Sequence, residues 1–191
     1  MDVFEAIRNR RSIRRYRTDP VDDKTVQAVL EAAHWAPSWG NTQCWRFVVV
    51  RDPRTRAQIA DTLLREIIDN ESVKNAATEA INQAPVLVVI CAEIGQAGCR
   101  PAGVQVTDKG DYWYMFDIAL AMENLTLAAH ALGLGTVIIG GFDAPKVAKI
   151  LGVPAGFCVV TMTPLGVPDH KGQVSPRKQL SGVLYQEKFA K

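Results

Sequence analysis

The segment of this chain best equipped for chemistry is Arg10-Arg11-Ser12-Ile13-Arg14-Arg15-Tyr16. In an extended backbone alternate residues share a side, so Arg10, Ser12 and Arg14 face one way. Two guanidinium forks flanking a hydroxyl suit a phosphate or another anionic oxygen. The same residues also read as a solvated basic stretch after a helix. The formal net charge of the 191-residue chain is only +2. Residues 1–17 carry a local +4, and the remainder is slightly acidic. A general polyanion binder is therefore disfavoured, and no nucleic-acid motif accompanies the patch.

A second candidate is Gly133-Leu134-Gly135-Thr136-Val137-Ile138-Ile139-Gly140-Gly141. It is no dinucleotide fingerprint: the third glycine would fall at Ile138, and the order is helix to strand. Gly140 and Gly141 end a predicted strand, where paired glycines either make a tight turn or let backbone approach a flat ligand. A third is the turn-rich Pro37-Ser38-Trp39-Gly40-Asn41-Thr42-Gln43-Cys44-Trp45. Trp45 reads as core, whereas Trp39, between Ser and Gly, could line an aromatic pocket. Tyr112-Trp113-Tyr114 offers a second aromatic wall, with helix packing as the plainer reading. Cys44 reads more readily as a small hydrophobe than as a nucleophile.

Other chemistries find little support. There is no G-x-S-x-G, no HExxH and no carboxylate cluster. His34, His130 and His170 lie far apart, and the four cysteines lack metal spacing. The N-terminus lacks the apolar core of a signal peptide, which points to a reduced, cytoplasmic protein.

The elements that must position these residues follow from pattern. A short helix over Val3 to about Asn9 precedes the arginines. Val21–Trp35 is a helix capped by Asp22. Phe47–Val50 is a buried strand. Asp52-Pro53 opens a helix whose stripe runs Ile59, Leu63, Leu64, Ile67. A weak helix spans 72–83, a buried strand Val86–Cys91, and a Gly-rich loop 95–110. Tyr112–Leu132 is apolar on nearly all faces, so it is buried in a core or an interface; Asp117, Glu123, Asn124 and His130 interrupt it and argue against a membrane span. Strands at Thr136–Ile139 and Cys158–Met162 bracket a helix over Ala144–Leu151. Loop follows Gly166. Interleaved helices and strands make the class mixed α and β. Length and composition (48% hydrophobic, 22% charged) suit one ordered domain.

Taken together, the segments resemble the nitroreductase family of flavin enzymes. The resemblance rests on Arg10-Arg11-Ser12-x-Arg14; on Ala36-Pro37-Ser38-x-x-Asn41-x-Gln43-x-Trp45; on Asn124-Leu125 through Gly135 into Ile139-Gly140-Gly141-Phe142; and on Leu165-Gly166-x-Pro168 with Pro176-Arg177-Lys178. It implies an α+β fold, a mixed sheet of about four to five strands flanked by helices, in one domain over 1–191. It further implies an intertwined homodimer with FMN at the subunit interface, the 182–191 extension packing on the partner. Arg10, Arg11, Ser12 and Arg14 would contact FMN from one subunit, Arg10 and Ser12 at the phosphate and ribityl chain, Arg14 near N1 and O2. Arg177, with Lys178 beside it, would close on the phosphate. Ile139, Gly140 and Gly141 would lie along the isoalloxazine, with a backbone N–H near N5. Pro37, Ser38, Trp39 and Asn41 would come from the other subunit.

With the flavin carrying the electrons, no catalytic side chain and no metal is expected. The implied activity is ping-pong transfer from NADH or NADPH to a nitroaromatic or quinone acceptor. A specialised member (flavin destruction, dehalogenation or enoate reduction) and a flavin-binding protein without turnover are the alternatives. Two departures stand out: Cys44 where the family often has proline, and a bulky Trp39 where a small residue is frequent.

Overall fold

The computed structural model describes residues 1–100 and 103–189. Pro101 and Ala102 of the expected Gly-rich loop, and Ala190 and Lys191 of the expected extension, lie outside the described residues.

Helix α1 covers Val3–Asn9 and α2 Asp23–His34. Asp2 and Asp22 cap them, the Asp22 carboxylate accepting from the Thr25 N–H at 2.8 Å. Strand β1 is Trp45–Val50 and α3 is Pro53–Ala60, entered through Asp52 and Pro53. Strands β2 (Glu66–Ile68) and β3 (Glu71–Val73) form a small hairpin, followed by α4, Ala77–Gln83. Strand β4 is Val86–Glu93; β5 (Cys99–Arg100) and β6 (Val104–Gln105) pair locally. Helix α5 is Trp113–Ala131, β7 Gly135–Thr136, α6 Ala144–Leu151 and β8 Phe157–Gly166. Asp143 caps α6, and Gly152 ends it at φ +65°.

The main sheet has four strands in the order β1-β4-β8-β7. Its ladders are antiparallel. The parallel contact is a single bridge from Ser12, which lies outside the named strands, to Thr136 of β7. Strand β4 lies inside the sheet, and its side chains alternate between two cores. Leu87, Val89 and Cys91 pack with Ile59, Ile81 and Val147 from the α3, α4 and α6 side. Val86, Val88, Ile90 and Ala92 pack with Val29, Ile118, Met122 and Leu125 of α2 and α5. The result is a three-layer α/β/α arrangement.

Five expectations change. The α3 helix stops at Ala60 rather than continuing to Ile67. Tertiary pairing wins there: Leu63 bridges Phe142, the Leu64 N–H donates to the Gly141 carbonyl at 2.9 Å, and the Asp143 N–H to the Thr62 carbonyl at 3.0 Å. The 72–83 helix shortens because 71–73 pair as β3. Strand β1 is not buried throughout: it is an edge strand paired only with β4, and Arg46 and Val49 are exposed. The strand expected over Thr136–Ile139 shortens to β7, with Ile139 joined to Met162 by an isolated bridge. Within the single chain, helix α5 buries one face and leaves Met115 and Phe116 exposed.

Candidate functional site

The arginine segment is held straight by its neighbours. Beyond α1 the chain runs extended alongside β7, with the Ile13 N–H donating to the Thr136 carbonyl at 2.8 Å. Two glycines make room for it. A Cβ on Gly135 would stand 2.9 Å from the Ile13 side chain, and one on Gly172 2.7 Å from the Arg11 Cβ. Gly172 also has φ +73°, which side chains disfavour. Tyr16 closes the segment: its hydroxyl donates to the Ile13 carbonyl at 2.7 Å, and burial pushes its pKa up.

With Ile13 and Tyr16 turned inward, Arg10, Arg11, Ser12 and Arg14 line a cavity of about 650 Å³. Arg8 joins them from α1, and Gln173 through Arg177 enter from the far end of the chain. Five arginines line it, and no carboxylate does among the described residues. The Arg11 guanidinium is partly spent, donating to the Arg8 and Arg10 carbonyls at 2.6 and 2.7 Å. Arg10, Arg14 and Arg177 make no ion pair or side-chain hydrogen bond among the described residues. Buried Arg56 is the contrast, giving its guanidinium to the Ile81, Asn82 and Ala84 carbonyls at the end of α4. Lys178 is exposed and lies outside the cavity lining.

Gly140 and Gly141 follow Ile139, which is buried and bridged to Met162 on β8. Neither glycine has a positive φ, and a Cβ on either would meet nothing within 4 Å. The Gly141 carbonyl is taken by Leu64, whereas the N–H groups of Gly140 and Gly141 donate to nothing among the described residues. The chain's own fold therefore does not demand glycine at these two positions.

Pro37, Ser38, Trp39 and Asn41 do not line the arginine cavity. Trp39–Asn41 form a single 3₁₀ turn docked on α5. The Trp39 N–H points at the Asp117 carboxylate, 3.2 and 3.1 Å from its two oxygens. Its indole meets Trp113 edge to face at 4.8 Å, and Trp113 leans on Phe116 at 5.5 Å. The Ser38 Oγ accepts from the Gln43 N–H at 3.0 Å, closing the turn. Cys44 is buried, with its sulfur 3.8 Å from Asp117; burial and that carboxylate push its thiol up to about 12. Such a thiol stays protonated. Trp45 sits in the core, and its indole N–H donates to His34 Nδ1 at 3.2 Å.

Arg8, Gly135, Gly172 and Asp117 are site-building residues that the pattern reading passed over. Asp117 had left a signal, one of two carboxylates inside an otherwise largely apolar helix. The two glycines had left none, because what they make room for is remote in sequence.

The chain is thus a three-layer α+β domain with an arginine-lined cavity, free of carboxylates among the described residues, beside the β7 edge of its central sheet. The chain belongs to the nitroreductase family: the family's sequence model matches residues 7–167. It is 32% identical over 207 residues to an NADH dehydrogenase of Thermus thermophilus, covering 96% of this chain and 95% of the relative. It is also 32% identical over 181 residues to 5,6-dimethylbenzimidazole synthase of Rhodospirillum rubrum, covering 90% and 84%. Among solved structures, it resembles a nitroreductase from Desulfovibrio desulfuricans described in complex with FMN, at TM-score 0.74 and 30% identity, covering 100% and 99%. The fold expectation therefore holds, and no helix among the described residues is long and apolar enough to cross a membrane.

Proposed function

We propose that this protein is an FMN-dependent oxidoreductase that moves electrons from NADH or NADPH to a flat, electron-poor acceptor such as a quinone or nitroaromatic. The carrying observation is the cavity in which five arginines converge from both ends of the chain, with no carboxylate in its lining among the described residues. Unpaired cations gathered at one place favour a bound anion, and charge-assisted bonds of this kind are worth about 1.5–3 kcal/mol each. The cavity is far too small for a polyanion and well suited to one phosphate-bearing cofactor.

The roles divide by position. Arg10, Ser12 and Arg177 hold the phosphate and its chain, with Arg11 contributing what its two carbonyl bonds leave free and Lys178 acting from outside. Arg14, further along the extended segment, is the cation for the pyrimidine edge. Ile139, whose own N–H is held by Met162, leads into Gly140 and Gly141, whose bare backbone and N–H groups without an acceptor among the described residues a flat ring can approach closely. Bound there, the isoalloxazine would supply the redox chemistry by accepting and releasing hydride. The chain's own residues bind it, orient it and stabilise negative charge on it.

The site is completed by a second copy of the chain in a homodimer. Pro37, Ser38, Trp39 and Asn41 lie apart from the arginine cavity within one subunit, so they belong to the site formed with the partner. Exposed Phe4, Met115, Phe116 and Ile138, and the apolar extension with Leu184 and Phe189, supply apolar surface for such an interface. We place the enzyme in the cytoplasm.

The test is direct. Protein purified with FMN is expected to be yellow and to bleach in stopped flow on adding NADH or NADPH, with ping-pong steady-state kinetics. Protein that stays colourless with FMN overturns the reading. Flavin that binds but never bleaches leaves a binding protein without turnover. A second reading, a specialised family member, is favoured by the Trp39–Trp113 contact, which narrows the aromatic side of the site, and by the similarity to a 5,6-dimethylbenzimidazole synthase.

A further inference from the structure

Asp117 plays no part in the arginine cavity, yet it is a carboxylate only 1% exposed in the middle of α5. Burying an acid costs free energy unless it is bonded, and its bonds are informative. Both oxygens receive the Trp39 N–H, and Cys44, five residues on, places its thiol 3.8 Å from Oδ2. Asp117 therefore ties down both ends of the 39–44 turn.

That turn needs tying. Gly40, Asn41 and Gln43 have φ of +49°, +58° and +48°, and for the two non-glycine residues this is a conformation that persists only when the surroundings impose it. Trp113 stands one helical turn before Asp117, so the two share a face of α5. One meets the Trp39 indole and the other holds the Trp39 backbone. Trp39 is thus clamped from a single helix at both its main chain and its ring.

We infer that Asp117 is a positioning residue that fixes where the Trp39 indole stands, and through it sets which acceptors the site admits. This rests on the oxidoreductase reading above. It gives the departure at Trp39 a mechanism: the bulky wall discriminates because it is not free to swing aside. It also explains Cys44, which serves as a donor to the clamp rather than as a nucleophile.

The experiment compares wild type, Asp117→Leu, Asp117→Asn and Trp39→Ala. Near-UV circular dichroism of the flavin-free proteins reads the packing of the Trp39–Trp113 pair. Flavin titration reads FMN affinity. Steady-state kinetics with benzoquinone and with a bulky naphthoquinone read the acceptor range. Asp117→Leu is expected to lose the tryptophan-pair signal as Trp39→Ala does. Its FMN affinity should stay within about threefold, because the phosphate cradle is intact. Its preference for the bulky over the small quinone, in kcat/KM, should rise about tenfold, since misplacing one site group by an ångström changes rates on this scale. Asp117→Asn keeps one acceptor oxygen and should restore most of the signal and the wild-type preference.

Wild-type spectra and acceptor preference in Asp117→Leu overturn the inference. So does a loss of FMN and stability in Asp117→Leu that leaves acceptor preference unmoved, which is a purely structural role. If Asp117→Leu does not fold, Cys44→Ala keeps the test. It removes one tether and should shift the same two readouts in the same direction; an unshifted signal and preference overturn the inference. Failure of the oxidoreductase reading looks different: wild type itself neither binds FMN nor bleaches.

Discussion

The arginine segment at 10–14 and the tryptophan turn at 39–44 are built on opposite electrostatic terms. The first gathers like charges at a partly open cavity and pairs Arg10, Arg14 and Arg177 with nothing among the described residues. The second buries one acid and surrounds it with donors until its turn is fixed. Like charges held together with no counter-ion cost stability, so that region is organised for something that arrives. The buried acid is satisfied internally, so that region is organised before anything arrives. Affinity should therefore reside in the first and selectivity in the second.

The largest expected effect tests the first half of that division. Arg10→Ala and Arg14→Ala should each weaken FMN by about ten- to a hundredfold, the loss of one charge-assisted bond. Flavin fluorescence on release measures it. Lys178→Ala, outside the cavity lining, should change affinity far less; equal effects at all three positions would mean that only overall charge matters.

A smaller effect separates the arginines from the frame that carries them. Gly172→Ala adds a Cβ at 2.7 Å from Arg11 in a left-handed backbone. Overpacking of this kind costs about 1–3 kcal/mol, seen as a lower denaturation midpoint, and FMN affinity should fall with it although no arginine is changed. Gly140→Ala makes the reverse case. Its Cβ has open space, so the flavin-free protein should melt within about 2 °C of wild type. Flavin affinity should nevertheless drop, because the added methyl stands where a ring is meant to approach. A Gly140→Ala protein with full affinity would place the flavin elsewhere.

The two regions were not equally legible in the sequence. Arg10, Ser12 and Arg14 announce themselves because residue type and period-two alternation are local properties, and Ile13 turning inward confirms that alternation. That Arg177 meets them is a tertiary fact, foreseen only through family resemblance. Helix caps at Asp22, Asp52 and Asp143 were readable for the same local reason. The end of α3 was not, because Leu63 and Leu64 keep helical periodicity while pairing with Gly141 and Phe142, some eighty residues away in sequence. Asp117 was visible as an oddity in an apolar helix, but its partner, a backbone N–H at residue 39, has no side-chain identity to read. The glycines show the limit most plainly: Gly135 and Gly140 look alike in sequence, yet one is required by Ile13 and the other by nothing among the described residues.

The smallest effect is a pH slope, and its sign separates two uses of a carboxylate. Asp22, Asp52 and Asp143 sit at helix starts, where bonds from Thr25, Thr55 and Lys146 hold each below the ordinary 3.8. Their contribution is present above 3.8 and is lost as pH falls through their lowered folded values. Asp117 runs the other way. Burial raises its pKa above 3.8, against the lowering effect of the Trp39 N–H, the Trp113 indole and the Cys44 thiol. Between 3.8 and that raised value the folded chain binds more proton than the unfolded one, so stability falls as pH rises. Urea denaturation of wild type and Asp117→Asn across this range should show it: relative to the variant, wild type loses stability as pH climbs from about 4 and then levels off. Asp22→Asn should show the opposite trend, losing stability relative to wild type as pH rises through the folded value of Asp22. The slope is the readout, since the amide also changes the clamp's bonds at every pH. A flat difference for Asp117→Asn would mean that the donors offset burial fully, and that the carboxylate is held there at no cost. A falling difference means that the fold retains a destabilising charge in order to hold Trp39, which is the arrangement expected where position outranks stability.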